Sequence, residues 1–130
     1  MLASATSPDD ILDAITEEGV TITALVPAMV TVCMEMLEWD ENYDISSLRI
    51  LQVGGAMLED SLADKIIEEW PCKLMQVFGT AEGLLSFTSP EDEGSLIARC
   101  QGTPVSPADE VKIVDEEDKA VPEGEFLGNL

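Results

Sequence analysis

The apolar positions change period along the chain, and each change marks an element. Ser7-Pro8-Asp9-Asp10 reads as a helix start, with a serine able to cap and a proline at the first helical position. Ile11, Leu12 and Ile15 form its apolar stripe, and Gly19 ends it. Residues 20–26 are a β-rich apolar run, read as a buried strand. Pro27 opens a second helix to about Glu38, predicted to turn Met29, Val32, Cys33, Met36 and Leu37 inward. Residues 48–53 form a second strand that ends at Gly54-Gly55. A third helix spans residues 58–69 and is stopped by Trp70-Pro71. Residues 73–78 form a third strand that runs into Gly79. Helix and strand alternating at this spacing predict an α/β fold with a parallel sheet, right-handed crossovers and flanking helices.

After Ser86 the character changes. Residues 89–94 read as a loop, residues 111–114 and about 125–127 as two strands, and residues 115–118 and 122–124 as turns. This tail is predicted to be β-rich and free of helices. The boundary falls near Gln101, with an α/β subdomain over 1–100 and the start of a β-rich unit, a hairpin, over 101–130. No internal repeat or low-complexity segment is visible.

Composition narrows the function. A chain of 130 residues, 45% apolar, can bury a real core as one small domain. Six basic against 27 acidic residues give a net charge of −21, which repels phosphate backbones and anionic lipid. No nucleic-acid or membrane role is expected. No apolar run is long enough to span a bilayer, residues 2–7 are small and polar, and no export signal is visible. Cys33, Cys72 and Cys100 are odd in number and far apart, so no disulfide framework or zinc site is expected and a reducing cytoplasm is the default. The chain contains no His, which removes any Ser-His or Cys-His pair within it.

In an open parallel sheet, ligands bind beyond the carboxyl ends of the strands. That points to Val26-Pro27-Ala28-Met29, Gly54-Gly55-Ala56-Met57 and Phe78-Gly79-Thr80-Ala81-Glu82-Gly83, three segments expected on one rim. Gly54-Gly55 reads equally as a tight turn or as a place where a flat ligand approaches backbone. It is not a Walker loop, since no Gly-Lys-Ser/Thr follows. Phe78 reads as core or as a stacking face for a purine. Glu82 reads as plain surface or as a lone carboxylate for a Mg²⁺ that keeps most of its waters and bridges to phosphate.

Phe78-Gly79-Thr80-Ala81-Glu82 resembles the aromatic-Gly-x-(Thr/Ala)-Glu signature of the acyl-adenylate-forming, AMP-binding enzymes. Leu48-Arg49-Ile50-Leu51-Gln52-Val53-Gly54-Gly55-Ala56, Gln101-Gly102-Thr103-Pro104, and Val111-Lys112-Ile113-Val114-Asp115 with Pro122-Glu123-Gly124-Glu125 resemble its flanking stretches in order and spacing. The resemblance covers residues 9–130. Gln52-Val53-Gly54-Gly55-Ala56 and Gln76 to Leu85 look most like the aryl-acid ligases of siderophore synthesis, which activate 2,3-dihydroxybenzoate or salicylate with ATP and Mg²⁺ and pass it to a carrier-protein thiol. Ala81 stands where many relatives have Thr, so a phosphate-contacting hydroxyl is not implied there.

The resemblance implies roles. Gly55 and Ala56 would line adenine, Gln76 would lie at its edge and Phe78 would stack on it. Gly79 would admit the nucleotide closely, Thr80 would lie near the α-phosphate or acyl carboxylate, and Glu82 would hold Mg²⁺. Met29, Gln52, Gly54, Val77, Leu85 and Ser86 would line the acyl pocket. The family's phosphate loop, ribose-binding Asp, hinge and catalytic Lys have no counterpart in these residues. The chain is therefore expected to be an internal piece of a ligase, inactive alone, without a complete catalytic set. A stand-alone α/β interaction module and a piece of another acyl-CoA synthetase or adenylation domain are the alternatives. A flavodoxin-like domain would need a phosphate loop after its first strand, and Val26-Pro27-Ala28 makes a poor one. Unpaired sheet edges would favour a homo-oligomer or a swapped dimer.

Overall fold

The computed structural model describes residues 7–115, 117 and 119–121. Helix α1 (Pro8–Glu18) opens with a capping box: the Ser7 hydroxyl accepts from the Asp10 N–H at 3.2 Å, and Asp10 accepts from the Ser7 N–H at 3.2 Å. Gly19 closes the helix in the left-handed region, φ 63°. Strand β1 (Ile22–Leu25), helix α2 (Pro27–Trp39), strand β2 (Ile50–Gly54), helix α3 (Asp60–Glu69) and strand β3 (Lys73–Gly79) follow in the predicted order. β1, β2 and β3 pair in parallel, with Leu51 opposite both Thr23 and Leu74.

Beyond β3 the sheet turns mixed. Strands β4 (Leu85–Phe87) and β5 (Thr103–Pro104) add antiparallel, giving the order β1-β2-β3-β4-β5. The β4–β5 pairing carries the sheet past Gln101. Between them lies helix α4 (Gly94–Arg99), which corrects the expectation of a helix-free tail. Its six residues bury only Ile97 and Ala98, too short a pattern for periodicity to reveal. The predicted strand at 111–114 is reduced to one antiparallel bridge, Val114 to Ala120. The strand expected at 125–127 and the turn at 122–124 lie outside the described residues.

Three sequential parallel strands whose crossovers share one hand place their helices on one face. A single core agrees with this. Leu51, Val53 and Leu74 from the sheet meet Leu12 and Ile15 of α1, Val30, Cys33 and Met34 of α2, Ala63 and Ile66 of α3, and Ile97 and Ala98 of α4. The alternate strand positions face the side that no described helix covers, and Ile22 there is 54% exposed. Of the run 20–26, only β1 is strand, and it lies at the sheet's edge instead of being the buried strand its composition suggested. α2 keeps most of its predicted inward face: Cys33 is core and Met29, Met36 and Leu37 pack against it, but Val30 and Met34 are core as well and Val32 is 41% exposed. That helix is apolar on nearly every side, so its sequence underdetermines the inward face. Among the described residues no helix is long and apolar enough to cross a membrane.

Candidate functional site

The site forms where β2 and β3 end side by side. Gly55 carries the chain out of β2 at φ 78°, a conformation that side-chain-bearing residues rarely adopt. A β-carbon on Gly54 would stand 2.5 Å from the Val77 carbonyl oxygen, so this glycine admits the neighbouring strand. A β-carbon on Gly55 would approach Val26 Cγ1 at 3.4 Å. The ends of β1 and β2 therefore share the predicted rim.

Between the two strand ends lies a cavity of about 420 Å³ lined by Gly55, Ala56, Met57, Val77, Phe78, Gly79 and Gln101. One wall is a bare turn, the other is the Phe78 ring, and Gln101 stands at the edge. A second cavity, about 350 Å³, opens on Phe78, Ser86, Gly102 and Ile113 and shares Gln101 with the first. A trough of about 440 Å³ occupies the opposite, N-terminal ends of the strands. Its Lys73 is already bound to Glu91 at 2.7 Å, and no candidate residue lies in it.

Of the nucleotide set, Gly55, Ala56, Phe78 and Gly79 meet around the first cavity. Gln76 does not line it. Only 2% exposed, Gln76 spends its carboxamide inside the protein: Nε2 donates to the Ile97 carbonyl at 2.7 Å and the Ala98 carbonyl at 3.2 Å, and Oε1 accepts from Gln101 Nε2 at 3.1 Å. Its backbone N–H donates to Thr88 Oγ1 at 2.8 Å. Burial on the helix-clad face explains the displacement, because Gln76 lies opposite core residue Val53.

Thr80 and Glu82 lie on the turn between β3 and β4. The Thr80 N–H donates to the Leu84 carbonyl at 2.9 Å, and the Gly83 N–H to the Thr80 carbonyl at 3.2 Å. Glu82 is exposed, and no cluster of three metal-ligating side chains exists among the described residues. One carboxylate suits a cation held mainly by water and phosphate, not a protein cage.

The acyl set divides between the faces. Val77 lines the first cavity and Ser86 the second. Gln52, Gly54 and Leu85 take alternate strand positions on the uncovered face with Val77, where Gln52 Nε2 lies 3.5 Å from Met75 Sδ. Met29 is half-buried in α2 and lines neither cavity.

Sequence reasoning assigned no role to Gln101. The signal was a polar residue directly before Gly102, whose φ is 76° and whose added β-carbon would overlap the Phe87 carbonyl at 1.9 Å. This close approach fixes Gln101 beside β4 and the cavity. Arg99, the last residue of α4, binds Asp64 of α3 at 3.1 Å, next to the Ala98 carbonyl that Gln76 reads.

The AMP-binding enzyme family model matches residues 1–130. The 2,3-dihydroxybenzoate-AMP ligase of Bacillus subtilis is 42% identical over 125 residues, covering 96% of this chain and 23% of that protein. The salicyl-AMP ligase / salicyl-S-ArCP synthetase of Mycobacterium tuberculosis is 44% identical over 119 residues, covering 92% of this chain and 21% of that protein. Among solved structures, apo MbtA of Mycobacterium smegmatis superposes with a TM-score of 0.79 at 41% identity, over 92% of this chain and 21% of that one. The chain thus spans less than a quarter of the length of these relatives.

Proposed function

Because the chain belongs to the AMP-binding enzyme family, we propose that it is an internal segment of the large N-terminal domain of an ATP-dependent aryl-acid adenylating ligase. The observation that carries this is the slot between Gly55-Ala56-Met57 and Val77-Phe78-Gly79 at the carboxyl ends of two parallel strands. Its aromatic wall and bare backbone suit a purine, which stacks on one side and lies against peptide on the other. Gly55, Ala56, Phe78 and Gly79 hold the base, and Thr80 lies toward the α-phosphate. Glu82 offers one oxygen to Mg²⁺, which when bound neutralises phosphate charge. Met29, Gln52, Gly54, Val77, Leu85 and Ser86 belong to the acyl side. The relatives named for 2,3-dihydroxybenzoate and salicylate support an aryl acid as substrate.

The whole ligase condenses the acid with ATP to an acyl-AMP and transfers the acyl group to a carrier-protein thiol, in siderophore biosynthesis in the cytoplasm. The net charge of −21 speaks against nucleic-acid and membrane partners. Because β5 continues the sheet past Gln101, a change from the α/β subdomain to a β-rich one would begin only beyond Pro104, and the open edge of β1 favours self-association.

ATP–pyrophosphate exchange tests the reading. The chain alone stays at background, because one metal ligand and one base wall do not align or neutralise a triphosphate. The longer polypeptide carrying it exchanges with 2,3-dihydroxybenzoate or salicylate. Exchange driven only by aliphatic acids would overturn the aryl-acid assignment.

A further inference from the structure

We propose that Gln101 selects the nucleobase by its exocyclic group, and that Gln76 enforces the choice by locking the direction of the Gln101 carboxamide. This deepens the reading of the slot as a nucleotide site and rests on it.

Both N–H bonds of Gln76 Nε2 point at carbonyl oxygens, Ile97 at 2.7 Å and Ala98 at 3.2 Å. Carbonyls only accept, so the Gln76 amide has one permitted orientation and its Oε1 must face Gln101. That oxygen is itself only an acceptor. The Gln101 amide is fixed in turn, with Nε2 toward Gln76 at 3.1 Å. Gln101 keeps an acceptor, Oε1, and one N–H with no partner among the described residues, and it lines the slot beside Phe78.

A carboxamide pairs with a purine edge through one donor and one acceptor. Adenine offers the exocyclic N–H of N6 beside acceptor N1 or N7. A 6-oxo purine places an acceptor where adenine has that donor, and on its N1 side the order of donor and acceptor is reversed. A carboxamide free to flip accommodates both purines. One that cannot flip reads the 6-amino group and rejects the 6-oxo group.

AMP and IMP titrated into the ¹⁵N-labelled chain, followed at the amides of Gly55 and Phe78, test this. The expected result is weak binding of AMP and about tenfold weaker binding of IMP. Gln101→Leu brings the ratio to about one. Gln76→Leu does so too while Gln101 is still present, a loss that simple removal of a contact to the base does not explain. Should Gln76→Leu fail to fold, Gln101→Leu decides, since that side chain is exposed. A variant that weakens AMP and IMP by the same factor marks Gln101 as merely structural and overturns the proposal. Equal binding of AMP and IMP by the unaltered chain overturns it while leaving the nucleotide reading intact. No AMP response at Gly55 or Phe78 removes both.

Discussion

The parallel half of the sheet, β1 to β3, and the antiparallel return through β4, α4 and β5 are held by different forces. In the first, Leu51 and Leu74 are sealed beneath helices that contribute Leu12, Val30 and Ile66. In the second, only Ile97 and Ala98 of α4 enter that apolar core, and the other joins are polar or steric. Thr88 accepts from the Gln76 N–H at 2.8 Å and donates its own N–H to the Gln76 carbonyl at 3.1 Å. Gly102 passes so close to Phe87 that no β-carbon fits, and Gln76 grips the last carbonyls of α4. Apolar burial is forgiving of shape and roughly additive in area, whereas a polar join fails when one partner is lost. The cavity lies on the seam, with Gly55 and Phe78 from the first region and Gln101 from the second.

Substitutions break the two regions in different ways. Gly102→Ala carries the largest expected effect, about 4 kcal/mol in urea unfolding, because left-handed strain adds to overlap with the Phe87 backbone. β5 should detach, and amide exchange should rise at Val105, whose N–H otherwise donates to the Leu85 carbonyl. Leu74→Ala should cost about 3 kcal/mol through its cavity, with cooperative unfolding and no selective fraying of the return. Gln76→Leu should cost about 2 kcal/mol by stranding the Ile97 and Ala98 carbonyls, with the exchange increase confined to α4 and Gln101.

The last effect concerns pH. Burial raises the Cys33 thiol from 9.0 to about 11, with Asp9 adding to the shift. Burial likewise raises Cys72 from 9.0 to about 11, against a lowering hydrogen bond from the Leu51 backbone. The folded values lie above the unfolded ones, so this stabilisation is complete below pH 9 and is lost as the pH climbs toward 11. Unfolding midpoints should fall over that window, and Cys33→Ala with Cys72→Ala should flatten the slope. An unchanged slope in the double variant would remove the thiols from the account.

The same division governs what the sequence makes legible. Ser7, Pro8 and Gly19 announce α1 through capping chemistry that acts locally, and β2 and β3 announce themselves as apolar runs ended by glycine. Burial is not local: residues 20–26 share the β-rich composition of a core strand, yet β1 lies at the edge, and on the evenly apolar α2 the exposed Val32 reads like the buried Val30. The return is nearly silent, because α4 spans six residues and β5 two: α4 is held by two buried side chains and the Gln76 carboxamide, and β5 by a close approach between distant backbones. The rim was legible because glycine and an aromatic ring at strand ends are read position by position. Gln101 was not, since its meaning depends on Gln76, 25 residues away.

Photolabelling with 8-azidoadenosine triphosphate, followed by peptide mapping, shows whether the slot between β2 and β3 is a base-binding wall. Label should concentrate on peptides containing Gly55 to Met57 or Val77 to Gly79, competed by unlabelled ATP and lost in Phe78→Ala. Label gathered instead at Arg49 and Lys73 in the trough at the other end of the strands, or spread evenly and unmoved by ATP, would contradict that role.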